Sequence, residues 1–286
     1  MTIPDCRTNA YRPDLADERL RGLVNADAFV RGVANQVCAA VADIRRSPSP
    51  DAPVDTQALF GETVQVFEDH EGWCWVQLDS DSYVGYMAHN ALTSKIEAIT
   101  HIVAAPRTFL YPGPDMKFPA TAALSMGSRL RVAGQAETRG TRYHLLSSGE
   151  AVIAAHAQPI EDRIADPVSV AARLIETPYL WGGRTAFGID CSGLVQLSHA
   201  MCGNPLPRDS DMLCANAGAL IGEGADHPQL ERGDLVFWKG HVAMMENGTI
   251  MLHASGHTMS VVREPFDEAV ARIGHLYGLP LAYRRP

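Results

Sequence analysis

Hydrophobic and polar positions alternate in short runs through the first half of this 286-residue chain. Apolar residues recur at about every second position, the period of a half-buried β-strand, in Thr63–Phe67, Trp73–Leu78 and Tyr83–Met87. The residues between these runs include Gly, Asp and Ser, which favour tight turns. We therefore predict closely spaced strands here, preceded by an apolar, strand-like run over Val33–Ile44 and a short helix over Asp14–Val24.

The strand pattern occurs twice along the chain. Matches in the same order, at offsets of 66 to 68 residues, relate Gly61–Val66 to Gly127–Val132, Trp75 and Leu78 to Tyr143 and Leu146, and Ala88-His89 to Ala155-His156. A shared offset of this kind indicates an internal repeat, and copies made of short strands are typical of small barrels. We predict an N-terminal arm over 1–30, followed by two small β-barrels over 31–95 and 96–160.

The pattern becomes a mixture of helix and strand from residue 166 onward. Asp166-Pro167 is typical of a helix start, and Leu194, Val195, Leu197 and Met201 recur at helical spacing. An irregular stretch over Asn204–Gln229 follows. Apolar runs then predict strands at Asp234–Lys239, His241–Glu246, Thr249–Ala254 and Met259–Arg263, a helix near Val270–Ile273 and a last strand over Leu279–Tyr283. A helix packed on antiparallel strands predicts an α+β domain over 166–286.

Cys191 lies where a Gly-rich loop turns into the second of these helices. Gly182-Gly183 precede it, and Ser192-Gly193 follow it directly. Unpaired backbone N–H groups and the positive end of the helix dipole meet at such a point. They favour a thiolate over a thiol and offer donors to an oxyanion. We therefore predict that Cys191 is a nucleophile that attacks a carbonyl.

Two histidines are the candidate partners of this thiol. His241 opens one predicted strand, His253 ends the next, and Asn247-Gly248 between them indicates a hairpin. Pairing residues symmetrically about that turn sets His241 near residue 254, so the two imidazoles should lie close together. One would act as the base and the other would orient it. Zinc ligation by the thiol and the two imidazoles is the alternative, and it lacks a suitably spaced fourth ligand.

Other candidate residues have structural alternatives when the residues are considered alone. Tyr179 and Trp181 precede the nucleophile and would either pack on its helix or contact a ligand. Arg208-Asp209-Ser210-Asp211 is typical of a helix cap or a solvated turn. Glu62 and Tyr83, in the first predicted barrel, would by composition be an ordinary surface residue and a half-buried one.

Charge and cysteine content narrow the class of protein further. The formal net charge of -9 argues against nucleic acid and anionic membrane as main partners. The start of the sequence has acidic residues and no apolar h-region, which predicts a cytoplasmic protein. The six cysteines contain no CxxC pair, and a chain of this length without a secretion signal is not expected to have a disulfide framework. We also predict no metal or other cofactor.

Six motifs in order resemble the NlpC/P60 cysteine peptidases. They are Tyr179-x-Trp181-Gly-Gly-Arg, Asp190-Cys191-Ser192-Gly193-Leu194, Arg208-Asp209-Ser210, Gly233-Asp234-Leu235-Val236-Phe237, Gly240-His241-Val242-Ala243-Met244 and Leu252-His253-Ala254. The resemblance covers 167–286, and the two preceding repeats resemble bacterial SH3 domains. The whole arrangement is similar to the subgroup of γ-D-glutamyl-L-diamino acid endopeptidases.

The resemblance implies a papain-like fold with Cys191, His241 and His253 as catalytic triad. It implies a murein-derived peptide as substrate, with a free N-terminal L-Ala and a D-Glu linked through its γ-carboxyl to a diamino acid. The residues that match the substrate-binding positions of this subgroup are Glu62, Tyr83, Tyr179, Trp181, Asp190, Ser192, Asp209 and Ser210. Of these, Glu62 and Asp209 would surround the free ammonium of the substrate with two carboxylates.

Two other functions remain open from the sequence. The same triad serves an amidase or acyltransferase that acts on a different amide, and two SH3 modules suit a non-catalytic wall-peptide binder. A substrate acylated on nitrogen has no ammonium for two carboxylates to match, which distinguishes the first alternative. The presence of Cys191, His241 and His253 together argues against the second.

Overall fold

The computed structural model describes residues 3–225 and 227–286. The chain divides into two units, Met1–Asp162 and Arg163–Pro286. Within the described residues, the first unit consists of strands and single-turn 3-10 helices, and the second combines α-helices with strands. This mixture confirms the predicted α+β class. None of the helices in the described ranges combines the length and apolarity that crossing a bilayer requires.

The N-terminal arm is extended, so the helix predicted over Asp14–Val24 is wrong. Strand β1, Leu15–Asp17, pairs in parallel with β2, Ala28–Val30, and only one 3-10 turn, Glu18–Leu20, lies between them. Apolar spacing suggested a helix, but pairing with residues more than ten positions away holds the segment as a strand. Local periodicity carries no information about such a partner.

Seven strands form the first SH3-like module: β3 Val33–Val37, β4 Val41–Arg45, β5 Val54–Leu59, β6 Thr63–His70, β7 Trp73–Leu78, β8 Val84–Ala88 and β9 Leu92–Thr93. Their order in the sheet is β5-β4-β8-β7-β6-β3-β9. Val64, Val76 and Met87 lie fully buried in its core. The run over Val33–Ile44 is two strands instead of one, because the chain turns at Cys38-Ala39-Ala40 without the Gly or Pro that would mark the turn in sequence.

The second module contains eight strands: β10 His101–Val103, β11 Arg107–Tyr111, β12 Ala122–Ser125, β13 Arg129–Leu130, β14 Val132–Thr138, β15 Thr141–Leu146, β16 Ala151–Ile153 and β17 Ala157–Pro159. They form two sheets, ordered β13-β10-β17 and β12-β11-β16-β15-β14. Val103, Leu124 and Val152 are fully buried between them. This module therefore has an apolar core of its own.

The internal repeat is visible in the backbone of the two modules. Gly61 and Gly127, which match in sequence, both adopt left-handed φ angles, +78° and +89°, which favour glycine. A Cβ on Gly61 would lie 2.2 Å from the carbonyl oxygen of Arg129, so this turn also needs a residue without a side chain. The matched aromatic residues Trp75 and Tyr143 are both buried.

Among its described residues, the second unit contains four helices, α1 Pro167–Ala172, α2 Cys191–Met201, α3 Ser210–Asn216 and α4 Phe266–Tyr277. A short ribbon pairs β18 Arg184–Thr185 with β19 Gly188–Ile189. The main antiparallel sheet has the order β20-β25-β21-β22-β23-β24. Its strands are β20 Ala219–Gly222, β21 Leu235–Trp238, β22 His241–Met245, β23 Ile250–Ser255, β24 Ser260–Pro265 and β25 Ala282–Arg285.

Both faces of the central strands are buried. Ala243, Met245 and Met251 pack in one cluster with Phe266 and Ile273 of α4. The alternate side chains on β22 and β23 point to the opposite face and are equally buried, and helices α1 and α2 contact these strands. The sheet is thus a middle layer between helices. Helix α2 brings its first residue, Cys191, close to the start of β22.

Three predicted elements of this unit need correction. The stretch Asn204–Gln229 is not wholly irregular, because it contains α3 and β20. Helix α3 buries only Leu213, so its sequence shows no apolar face. The last helix spans Phe266–Tyr277 and is longer than the predicted segment. The last strand spans Ala282–Arg285 and begins later than predicted.

Candidate active site

The loop that ends at Cys191 is folded tightly around the start of α2. Asp190 is the N-cap residue, and its side chain accepts a hydrogen bond from the N–H of Gly193 at 2.7 Å. A Cβ added to Gly193 would lie 2.3 Å from the carbonyl oxygen of Gly183. The Asp-Cys-Ser-Gly sequence therefore meets two local requirements, a capping carboxylate and a residue small enough for close backbone approach.

Asp190 also forms a buried ion pair with Arg208. Their side chains are 10% and 1% exposed, and the shortest contact is 2.6 Å. The two carboxylate oxygens of Asp190 accept from the N–H of Gly182, the N–H of Gly193, both Nη atoms of Arg208 and the Ser192 hydroxyl. A carboxylate has about four lone-pair sites, so these protein donors saturate it.

This network changes the interpretation of two predicted substrate-binding residues. Asp190 is saturated by protein donors, and the Ser192 hydroxyl accepts from Nη1 of Arg208 at 2.8 Å. Both residues are buried. Their side chains thus help to hold the nucleophile loop together, and their contact with substrate stays a prediction.

Burial makes the Cys191 thiol a weaker acid than its position at a helix start suggests. Its Sγ lies 4.0 Å from the carbonyl oxygen of Gly240, next to His241 in sequence. Desolvation, followed by the negative charge of Asp190, raises the pKa of Cys191 to about 12, against the opposing effect of the N–H groups of Val242 and Ser192. Desolvation of the thiol therefore opposes the helix-start donors that were expected to favour a thiolate.

The predicted proximity of the two histidines is confirmed. Nε2 of His241 lies 2.9 Å from Nδ1 of His253, and the rings meet edge to face with centroids 5.1 Å apart. Burial, followed by the neighbouring His253, lowers the pKa of His241 to about 3. His241 is consequently neutral at physiological pH and able to accept a proton.

The hairpin register differs by one residue from the prediction. Met244 pairs with Leu252 and Met245 with Met251, which sets residue 241 opposite 255 when the register is continued. The cause is Asn247, whose side-chain oxygen accepts from the N–H groups of Thr249 and Ile250 at 2.9 and 3.0 Å. The turn therefore spans more than Asn247-Gly248.

A carboxylate that the sequence interpretation missed lies next to His253. Oε2 of Glu264 is 3.0 Å from Nε2 of His253, and Arg272 binds both oxygens of Glu264, at 3.0 and 2.6 Å. Hydrogen bonding to His253, followed by Arg272, lowers the pKa of Glu264 to about 2. The signal that locates Glu264 is its position on β24 relative to His253, which depends on a strand register that the sequence does not display.

For Tyr179 and Trp181, the aromatic residues of the loop, the structure bears on the choice between core packing and contact with a ligand. Trp181 is 67% exposed, so it does not pack in the core and its indole is accessible to a ligand. Tyr179 is half-buried. Its pKa is raised, first by burial and then by the charges of Cys191 and Asp190, which places its ring near the nucleophile. Core packing is therefore excluded for Trp181, and Tyr179 lies within electrostatic range of the nucleophile.

Asp209 and Ser210 form the start of α3. Asp209 occupies the N-cap position without a side-chain capping bond, and both residues are partly exposed. Ser210 also lines a cavity of about 320 Å³. The other residues of its wall are Asp211, Cys214, Ala215, Trp238, Lys239, Gly240 and Leu281. Gly240 thus belongs both to the wall of this cavity and to the surroundings of the Cys191 thiol.

Glu62 and Tyr83 belong to the other unit, Met1–Asp162. Glu62 is 3% exposed, accepts from the N–H of Leu59 at 2.8 Å and lies 3.7 Å from Arg129. Tyr83 is buried in the core of the first module. Neither is the ordinary surface or half-buried residue that composition suggested. Their contact with a substrate amine stays a prediction.

Within residues 3–225 and 227–286, one group of side chains is arranged to hold a metal ion: Asp69, Cys74 and His89 of the first module. Burial raises the pKa of Cys74 to about 11. Cys191 and His241 belong to no such group in the described ranges, so the geometry gives no support to the zinc alternative at the nucleophile.

Two family models match the sequence. The model described as "NlpC/P60 family" matches residues 176–272, and "Bacterial dipeptidyl-peptidase Sh3 domain" matches residues 44–92. The first therefore covers the nucleophile loop and both candidate histidines, and the second covers most of the first barrel.

Curated relatives extend the similarity over most of the chain. Dipeptidyl-peptidase 6 of Lysinibacillus sphaericus is 28% identical over 77% of this chain and 86% of that protein. The γ-D-glutamyl-L-lysine dipeptidyl-peptidase of Bacillus subtilis is 28% identical over 74% of this chain and 76% of its own length. The probable endopeptidase NlpC of Escherichia coli is 32% identical over 39% of this chain and 78% of that protein.

A solved structure shares the fold. The crystal structure of an NlpC/P60 family protein from Bacillus cereus matches 88% of this chain and 99% of its own, with a TM-score of 0.72 and 23% sequence identity. At that identity the likeness establishes the fold alone, and it agrees with the papain-like fold and SH3-like modules predicted from sequence.

Proposed function

The chain belongs to the NlpC/P60 family of cysteine peptidases, and from this premise we propose that it hydrolyses the γ-D-Glu–diamino acid bond of cell-wall peptides with a free N-terminal L-Ala. The observation that carries the proposal is the His241–His253 pair at the strand edge where the Cys191 thiol lies. The choice of bond is supported by the relative named γ-D-glutamyl-L-lysine dipeptidyl-peptidase.

The three residues divide the chemistry between them. Sγ of Cys191 attacks the γ-carbonyl carbon of D-Glu as its proton passes to His241, and the tetrahedral intermediate collapses to a thioester when that proton moves to the departing amine. Water then hydrolyses the thioester by the same route in reverse. His253 holds His241 in position through the 2.9 Å contact.

The start of α2 supplies donors for the oxyanion. In the first turn, the N–H of Gly193 is bound to the Asp190 side chain and the N–H of Leu194 to the Asp190 carbonyl. The remaining first-turn donors are the N–H groups of Cys191 and Ser192. Preorganised backbone donors at this point are the usual source of transition-state stabilisation in acyl transfer.

The candidate binding groups suit a short peptide with a charged end. Trp181 offers an exposed ring, Tyr179 lies within electrostatic range of the nucleophile, and Asp209 and Ser210 begin the helix that borders the same cavity as Gly240. A requirement for a free ammonium would exclude stems still attached to glycan, whose L-Ala is acylated. Such selectivity fits turnover of released peptides in the cytoplasm, which we include in the proposal.

The direct test is incubation with L-Ala-γ-D-Glu-meso-diaminopimelate and with its L-Lys counterpart, followed by mass detection of the dipeptide L-Ala-γ-D-Glu. Cys191→Ala is the control and should release no dipeptide while keeping the wild-type melting temperature. Absence of dipeptide from both peptides would refute the proposed bond. A difference between the two rates would identify the preferred diamino acid.

The free amine is tested with the same peptide acetylated on L-Ala. Removing the ammonium from a charge pair that the bound peptide buries costs roughly 2–5 kcal/mol, so kcat/KM should fall at least about thirtyfold at 1.4 kcal/mol per decade. Asp209→Asn should narrow that ratio by slowing the free peptide. Equal rates on both peptides would mean an open cleft end and would favour the amidase or acyltransferase alternative.

A further inference from the structure

Three polar side chains, His241 on β22, His253 on β23 and Glu264 on β24, form a row across the sheet, which we call the polar row. The pairing of these strands explains their alignment. On β23 and β24, His253 lies opposite Val262, and Glu264 lies opposite Met251. His253 and Glu264 are therefore diagonal neighbours, two residues apart in register, and point to the same face. His241 on β22 stands in the same relation to His253 when the register of those strands is continued. The sheet itself aligns His241, His253 and Glu264.

The ionised state of Glu264 fixes the direction of the hydrogen bonds in this row. Two donors of Arg272 hold the carboxylate, and an ionised carboxylate only accepts. Nε2 of His253 must therefore donate to Glu264. In a neutral imidazole the other nitrogen then accepts, so Nδ1 of His253 receives the Nε2–H of His241. Nδ1 of His241 is left with its lone pair.

We propose that Glu264 is a positioning residue, which through His253 keeps Nδ1 of His241 unprotonated and available to take the proton of Cys191. The inference rests on the proposed function for its catalytic consequence, but the proton arrangement is a property of the resting protein. In each turnover the proton passes from Sγ to Nδ1 of His241 and then to the leaving amine. His253 and Glu264 keep the protonation that they have at rest.

Arg272 has a separate task in this arrangement. A lone carboxylate beside an imidazole would favour the imidazolium, which would then donate from Nδ1 of His253 and reverse the bond to His241. The guanidinium compensates the charge of Glu264 through a bidentate contact. Glu264 thus acts on His253 as a hydrogen-bond acceptor instead of as a counter-ion.

Glu264→Gln should reverse the direction of the hydrogen bonds between His241, His253 and residue 264. Arg272 has only donors, so the amide oxygen of the new side chain turns to Arg272 and its NH2 group faces His253. Nε2 of His253 must then accept, its Nδ1–H donates to His241, and the proton of His241 moves to Nδ1. Adding Arg272→Met frees the amide oxygen to face His253, which restores the original direction.

The matched control is Glu246→Gln. Glu246 also forms a bidentate pair with an arginine, Arg263, on the same sheet, and it contacts neither histidine in the described structure. This variant removes an equivalent charge without touching the row. It should therefore keep the wild-type ring protonation and a kcat within about twofold.

The decisive measurement is the ¹⁵N NMR shift of the histidine ring nitrogens in the full-length protein at neutral pH without substrate. We expect His241 protonated on Nε2 in the wild type and in Glu246→Gln, on Nδ1 in Glu264→Gln, and on Nε2 again in the double variant. Protonation of Nδ1 in the wild type, or an unchanged His241 in Glu264→Gln, overturns the proposal. No outcome of this measurement depends on knowing the substrate.

The kinetic counterpart separates positioning from binding. Loss of a general base typically costs about 10²–10⁴-fold, so kcat of Glu264→Gln should fall by that factor with KM changed less than about threefold, and the double variant should recover part of the loss. A rise in KM and a fall in kcat, together with a lower melting temperature, would make Glu264 a structural residue. If the wild type cleaves neither peptide while the NMR result holds, the proposed function fails and the positioning inference stands.

Discussion

At the scale of single residues, burial decides the resting state of the catalytic pair. Desolvation raises the pKa of the Cys191 thiol to about 12 and lowers that of the His241 imidazole to about 3. We therefore expect both groups to be neutral in the free enzyme. In that state the thiolate would form by proton transfer to His241 when the carbonyl is in place.

The neutral pair predicts an unusual acid limb in the pH profile. His241 works unprotonated, and its lowered pKa means that it takes up a proton only well below pH 6.5, where an ordinary imidazole is half protonated. We expect kcat/KM to stay level as the pH falls from 7.5 to about 5, as measured with the diaminopimelate tripeptide. Activity regained on return to pH 7 excludes unfolding. An acid limb at or above pH 6.5 would show that His241 is solvated in the working enzyme.

At the scale of elements, the ion pair of Asp190 and Arg208 joins the nucleophile loop to the chain before α3. Arg208 is almost fully buried, and its partner caps α2. Removing one member of a buried pair leaves an uncompensated charge in a medium that solvates it poorly. The loop geometry and the stability of the unit therefore depend on the same contact.

Arg208→Met should destabilise the protein by roughly 3–5 kcal/mol, the typical cost of breaking a buried pair. The matched control is Arg263→Met, which breaks the partly exposed pair with Glu246 and should cost only about 0–1 kcal/mol. Urea unfolding of the two variants measures the difference. Equal losses would mean that water reaches Asp190 and that the cap alone holds the loop.

Features set by local interactions could be predicted from the sequence, and features set by contacts with distant residues could not. The start of α2, the strand pattern and the pairing of His241 with His253 follow from local signals, and the structure contains all three. The arm strand β1 and the position of Glu264 depend on pairing with distant residues, which leaves no periodic trace. The pKa of Cys191 also escaped prediction, because it depends on how completely the folded chain excludes water.

Substrate-binding residues show the same division. Trp181 and Asp209 were identified by motif, and the structure leaves both accessible to some degree. Asp190 and Ser192 belong to the same motifs, but Arg208 occupies their side chains. A motif therefore identified the positions of the site without distinguishing those that face a ligand from those that hold the loop.

At the scale of the whole molecule, buried histidines link stability to pH. His199 on α2 is 3% exposed, and neither ring nitrogen has a hydrogen-bond partner within the described structure. Burial lowers its pKa to about 4, and His241 is lowered further. Below pH 6.5 the unfolded chain protonates both imidazoles while the native chain does not, so the unfolded state binds more protons and native stability falls with falling pH.

Each of the two groups should contribute about 1.4 kcal/mol per pH unit to that loss in the range between its native pKa and 6.5. Replacing His199 with Met removes one of them and keeps a side chain of similar volume in the core. His199→Met should therefore raise the free energy of unfolding at pH 5 more than at pH 7.5, and should flatten its pH dependence by about that amount per unit. Urea unfolding at several pH values between 5 and 7.5 gives the slope.

The control for this slope is His275→Gln, which changes a histidine exposed on α4 and should leave the pH dependence of wild type. The direction of the effect is diagnostic. A protein that buries a neutral imidazole loses stability as the pH falls, whereas one whose imidazole is charged in the native state gains stability. A steeper slope in His199→Met, or one unchanged from wild type, would mean that water or a proton reaches His199 in the native protein, and α2 would then be less tightly packed behind the nucleophile than the structure indicates.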